Sequence, residues 1–120
     1  MPNVPINIKD IIDEFIENVN KILENRVKKI ILYGSYARGD YNNSSDIDIM
    51  ILTDLNDDEI VEYRDKISDI AYDIEEANNF DIWLSPLVKN IDKFNYWLAV
   101  KPFYMNVQKD GVVLNEHKNV

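Results

Sequence analysis

Two aspartates separated by one residue, Asp46 and Asp48, stand at the leading end of an apolar run, Ile47-Ile49-Met50-Ile51-Leu52. Short runs rich in Ile and Val, bounded by Gly, Asn and Ser, form buried strands. Strand side chains alternate between faces, so the two carboxylates point the same way, roughly 6–7 Å apart along the backbone. Like charges held together cost free energy unless a proton or a cation neutralises them. Mg²⁺ suits this arrangement. It takes hard oxygen ligands, keeps several waters, and is held by one or two carboxylates together with substrate phosphates.

A second apolar run lies just upstream, Ile30-Ile31-Leu32-Tyr33, and stops at Gly34-Ser35. Gly34 has no Cβ, so a phosphate can approach its backbone, and Ser35 adds a hydroxyl and an N–H donor. The loop from Tyr36 to Ser44 is expected to include a short helical turn that aims N–H groups at an anion. Arg38 is either a phosphate contact or a tether to one of the loop's acids, and Asp40 is a solvated loop residue. A phosphate cradle beside a carboxylate pair points to phosphoryl or nucleotidyl transfer.

Gly34-Ser35-Tyr36-Ala37-Arg38-Gly39, followed after Asp40–Ser44 by Ser45-Asp46-Ile47-Asp48, resembles the signature of the DNA-polymerase-β-like nucleotidyltransferase superfamily. A turn alone has no need of Ser35, Arg38, Ser45 and both aspartates together. Within the superfamily the chain most resembles the minimal nucleotidyltransferases (MNT) that act as antitoxins to HEPN-domain toxins. The resemblance implies transfer of AMP from ATP to a hydroxyl, with release of pyrophosphate. It implies two Mg²⁺ ions on Asp46 and Asp48, and nucleotide phosphates at Gly34 and Ser35, with Arg38 and Ser45 beside them.

In that family a third carboxylate sits on the strand that follows the central helix. Asp81 is the only acid in Phe80-Asp81-Ile82-Trp83-Leu84-Ser85 and carries over to that role, as a third metal ligand and as the base for the acceptor hydroxyl. The implied acceptor is a tyrosine of a cognate HEPN ribonuclease toxin, in a type VII-like toxin–antitoxin pair. Two alternatives stay open. One is transfer to a small hydroxylated molecule such as an aminoglycoside, and the other is an antitoxin that works by binding alone.

Composition narrows the setting. The 120 residues suit one domain, 1–120, with one core. There is no cysteine, which excludes disulfides, thiolate zinc sites and a cysteine nucleophile. No run is long and apolar enough to span a bilayer, and the start, MPNVPINIKD, lacks a signal-peptide pattern, so a cytoplasmic protein without membrane contact is expected. The net charge is −9, from 22 acidic and 13 basic residues, a poor match to nucleic acid and a better one to a basic partner or cationic substrate.

The remaining elements must position the site. Ile8, Ile11, Ile12, Phe15, Ile16, Val19, Ile22 and Leu23 predict an amphipathic helix over Asn7–Glu24, with Asn7 as its N-cap and Asp10 in the first turn. Val27–Tyr33 is expected as the first strand. Asp57 or Asp58 caps a second helix, Glu59–Ala77, which Asn78-Asn79 ends. Phe80–Ser85 reads as a third strand cut off by Pro86. Helices over Ile91–Val100 and Pro102–Asp110 follow, the latter closed by Gly111 as a C-cap, and Val112–Leu114 is a short last strand. His117 lies in a polar tail and is no ligand. This order gives an α/β (α+β) domain, a mixed twisted sheet with helices packed mainly on one face, as in the nucleotidyltransferase fold.

Overall fold

The structure, a computed structural model, describes residues 4–116, so His117 lies outside the described residues. The elements run α1 (Ile6–Leu23), β1 (Val27–Tyr33), α2 (Ser35–Arg38), β2 (Ile47–Thr53), α3 (Asp57–Ala77), β3 (Leu84–Asn90), α4 (Ile91–Trp97), α5 (Pro102–Asp110) and β4 (Val112–Glu116). The strands form one mixed sheet in the order β3-β2-β1-β4. β1 is antiparallel to both β2 and β4, and β2 is parallel to β3.

Alternation along β2 assigns the two faces. Ile47, Ile49 and Ile51 join Ile30 and Leu32 beneath the long helices, where they meet Ile8, Ile12 and Phe15 of α1 and Ile67, Ala71 and Ile74 of α3. Met50 and Leu52 face the other way and form a smaller cluster with Ile31, Phe94 of α4 and Val107 of α5. The two long helices thus cover one face, and α4 and α5 partly cover the other.

Several local expectations are corrected. Asn7 lies inside α1, whose N-cap is Pro5, and the first turn carries no acid. Proline's fixed φ suits a helix start and needs no side-chain bond. A short 3₁₀ segment, Glu24–Arg26, links α1 to β1. Asn56 caps α3 rather than Asp57 or Asp58. Its side chain accepts from Glu59 N–H while the Glu59 carboxylate accepts from Asn56 N–H, a capping box. α4 ends at Trp97, earlier than expected.

The largest correction concerns β3. It spans Leu84–Asn90 and runs through Pro86, so Phe80–Ser85 is not the strand, and Asp81 precedes it. The reason lies in the ladder. Ile47 N–H donates to Trp83 C=O, so the parallel register turns the N–H groups of Ser85, Leu87 and Lys89 towards β2 and those of Leu84 and Val88 away. Pro86 falls at an outward position of an edge strand, where its missing donor removes no ladder bond. Leu84 N–H, also outward, donates to Oε2 of the buried Glu75 at 2.9 Å.

Gly111 follows α5 but does not adopt a left-handed conformation; its φ is −71° and ψ 150°. A Cβ there would collide with the Val107 carbonyl oxygen and with Ile31 Cγ2. Glycine is required because the chain leaves α5 tightly over the Val107 carbonyl and against Ile31 of β1.

Candidate active site

β1 ends where the chemistry begins. Tyr33 stands opposite Asp48 in the antiparallel ladder, and the next residue, Gly34, turns the chain into α2 with φ +76° and ψ −156°. Ala37 and Arg38 N–H groups both donate to Gly34 C=O at 3.1 Å, which fixes this tight turn. A Cβ on Gly34 would overlap Asp48 Oδ2 and lie 3.1 Å from its Cγ. Backbone and carboxylate therefore share one place, and only glycine permits it.

Asp48, on the same face as Met50 and Leu52, is half-buried, and Asp46 is exposed one residue before β2. Burial raises the Asp48 carboxyl above its ordinary value. The neighbouring Asp46 charge raises it further, and Arg38 opposes both. Burial and the Asp48 charge likewise push the Tyr33 phenol up to about 12. An acid held in this state is a negative centre short of a counter-charge.

A cleft of about 380 Å³ opens over this centre, lined by Tyr33, Gly34, Ser35, Arg38 and Asp48 on one side and by Phe103, Asn106, Val107 and Asp110 of α5 on the other. It is within the range of small-molecule sites. Arg38 faces both ways: its Nε donates to Asp40 Oδ2 at 3.2 Å, and its charge reaches Asp48. The tether to a loop acid is thus formed, and Arg38 also lines the cleft. Ser45 ties the preceding loop instead of lining the cleft. Its Oγ accepts from Asn42 N–H at 2.9 Å, and its N–H donates to Asn42 C=O. The loop is held further by Tyr41, which stacks on the buried Tyr36 of α2 with ring centroids 4.5 Å apart.

The structure does not bring Asp81 to this pair. Asp81 is exposed in the turn before β3 and shares a depression with Asn7, Ile8, Tyr36, Tyr41 and Ile82. Ile8, Tyr36, Tyr41 and Ile82 pack with the α1–α3 core, on the other side of the sheet from Phe103 and Val107. Among the described residues no group of three or more His, Cys, Asp or Glu is placed to hold a metal ion. The two remaining carboxylates fit Mg²⁺, a cation held by one or two such groups and completed by water and phosphate oxygens.

Phe103, Asn106 and Asp110 were not singled out from sequence. Their spacing, i, i+3 and i+7 after a helix-starting proline, puts them on one face of α5, but nothing in that spacing shows that the face meets Asp48.

The sequence pattern of the nucleotidyltransferase domain matches residues 12–114. The chain belongs to this family. It is 33% identical over 109 residues to "Putative protein adenylyltransferase MJ0604" of Methanocaldococcus jannaschii, covering 91% of this chain and 99% of that protein. A second protein of that organism with the same designation, MJ0141, is 36% identical over 83 residues, 69% of this chain and 80% of its own. The fold is shared with a toxin–antitoxin crystal structure containing AMP-PNP, at 20% identity and a TM-score of 0.51, over 87% of this chain and 73% of that one. A variant of the toxin–antitoxin MntA-HpeT aligns at a TM-score of 0.49 and 19% identity, over 86% and 72%.

Proposed function

We propose that this nucleotidyltransferase is a Mg²⁺-dependent protein adenylyltransferase. It moves AMP from ATP to a hydroxyl of a partner protein, a tyrosine of a cognate HEPN ribonuclease toxin, and acts in the cytoplasm as the antitoxin of a type VII-like pair. The observation that carries this is the Asp48 carboxylate held against Gly34, inside a cleft that also holds Ser35 and Arg38. The near full-length likeness to "Putative protein adenylyltransferase MJ0604" supports a protein as the acceptor.

Asp46 and Asp48 would hold the metal. When bound, Mg²⁺ neutralises charge on the triphosphate and on the departing pyrophosphate. The chain's own residues do the positioning. Gly34 leaves room for the Asp48 carboxylate, Ser35 offers N–H and hydroxyl donors to the phosphate oxygens, and Arg38 offers a guanidinium to the same oxygens. Phe103 gives the nucleoside an apolar ring to lie against. The acceptor hydroxyl oxygen attacks the α-phosphorus in line with the bond to pyrophosphate and gives up its proton to solvent; one P–O bond forms, one breaks, pyrophosphate leaves, and AMP stays on the partner.

Incubation with labelled ATP and Mg²⁺, with and without a candidate HEPN partner, tests this by mass. A gain of one or more AMP units on the partner, absent with Asp48→Ala, is the expected result. A stable complex without any gain would instead identify an antitoxin that works by binding alone. Labelling of an aminoglycoside-like molecule but no protein would identify a small-molecule enzyme.

A further inference from the structure

A second depression, of about 290 Å³, lies along the free edge of β3, away from the carboxylate pair. Its floor is Pro86–Asn90; α3 flanks it through Ile60 and Arg64, and α4 and α5 through Phe94, Trp97 and Tyr104. Its charge is opposite to that of the molecule. Arg64, Lys89, Lys93 and Lys101 all line it, in a chain whose net charge is −9. Lys93 is paired with Asp57, whereas Arg64, Lys89 and Lys101 make no ion pair among the described residues. Lys101 lies over the Trp97 ring at 4.4 Å.

We propose that this groove receives an extended acidic segment of the acceptor protein and so presents the acceptor hydroxyl to the cleft, resting on the protein-acceptor function proposed above. Three observations favour a polypeptide. The Val88 N–H is turned away from β2, a main-chain donor that an added strand can use. The apolar lining of Leu87, Val88, Phe94 and Trp97 suits the alternate side chains of such a strand, while three unpaired cations suit acidic residues between them. The groove and the cleft are both walled by α5, through consecutive residues. Tyr104 lines the groove, Phe103 lines the cleft, and their rings meet edge-on at 5.5 Å. A long nucleic acid is disfavoured, since the acidic surface beyond the groove would repel its phosphates.

The test uses fluorescence anisotropy with three probes: an alternating Glu-Val peptide, the same peptide with Lys for Glu, and a short uridine oligonucleotide. The full chain and the triple variant Arg64→Glu, Lys89→Glu, Lys101→Glu are compared. The expected result is binding of the acidic peptide alone, weakened by salt and lowered about tenfold or more in the variant. No binding of that peptide overturns the proposal, as does equal binding by the variant, preference for the lysine peptide or preference for the oligonucleotide. Binding of Mg²⁺ and a non-hydrolysable ATP analogue, measured in parallel, should be equal in both proteins and reports that the variant is folded. Peptide binding needs no nucleotide, so it is read apart from AMP transfer; failure of the protein-acceptor function would show separately, as absence of any mass gain on a partner protein in the labelled-ATP experiment.

Discussion

The Asp48 carboxylate fills the space that a side chain on Gly34 would occupy. Gly34→Ala must therefore move the carboxylate while also placing a side chain at φ +76°. Backbone strain of this kind costs about 1–3 kcal/mol. Urea unfolding should show a loss of that size, and titration calorimetry should show weakened Mg²⁺-dependent binding of an ATP analogue. Unchanged affinity would mean that Asp48 does not hold the metal from this position.

Asp48 is raised above its ordinary value of 3.8 by burial and by Asp46. Because the folded value exceeds the unfolded one, the ionised group opposes folding. That penalty is absent below the unfolded value, grows as pH rises, and is complete above the folded value. Asp48→Asn should raise the melting temperature in EDTA at neutral pH, and Mg²⁺ should then stabilise the unmodified chain but not the variant. A variant that melts lower in EDTA would contradict this.

Asp46→Asn and Asp81→Asn should separate cleanly. Loss of a metal-binding carboxylate should lower AMP transfer by at least about 100-fold, the upper end for residues that merely support a ligand. Asp81 is exposed in the turn before β3 and does not line the cleft, and its replacement should change the rate by less than about threefold, under ~1 kcal/mol. Rate measurements with any competent acceptor decide between them; a large loss with Asp81→Asn would restore the three-carboxylate site.

A different acid contributes to stability against acid. Arg26 donates from two nitrogens to both Glu59 oxygens, at 2.9 and 3.0 Å, and joins the start of β1 to the first turn of α3. Arg26 and the Asn56 N–H hold the Glu59 carboxyl below its ordinary value of 4.5. Its contribution is therefore present above 4.5 and lost as pH falls through the lower, folded value. Urea midpoints of the unmodified chain and Glu59→Gln should differ at neutral pH and converge on acidification, and salt should narrow the gap. A constant difference would exclude linkage through this carboxyl.

Gly111→Ala would force Cβ into the Val107 carbonyl and Ile31. Overpacking of this kind costs about 1–3 kcal/mol. Since α5 carries Phe103 and Asn106, its displacement should also raise the KM for ATP; steady-state kinetics beside unfolding curves would show both effects or neither.

Much of this was legible because it is local. β1 has the bounds read from Val27–Tyr33, α5 those read from Pro102–Asp110, and the pairing of Gly34-Ser35 with Asp48 follows from two apolar runs joined by a short loop. What failed depends on partners distant in sequence. Pro86 reads as a stop until the ladder shows that its nitrogen faces away from β2. Asp81 reads as a strand acid only while Pro86 ends that strand. Gly111 does cap α5 as read, but in an extended conformation, and the approach of Ile31 adds a steric reason for glycine that the sequence does not show.

Asp48 belongs to the same side-chain row of β2 as Met50 and Leu52, and Asp46 immediately precedes the strand. A slip of β2 by one residue would turn that row into the α1–α3 core and bring the Asp48 charge with it. A slip by two would put Asp48 where Met50 now lies with no exposed surface. An unpaired ion in such a place costs several kcal/mol. Asp48 thus also acts as a register lock, and a neutral residue at this position would leave the central strand freer to misalign as the chain folds.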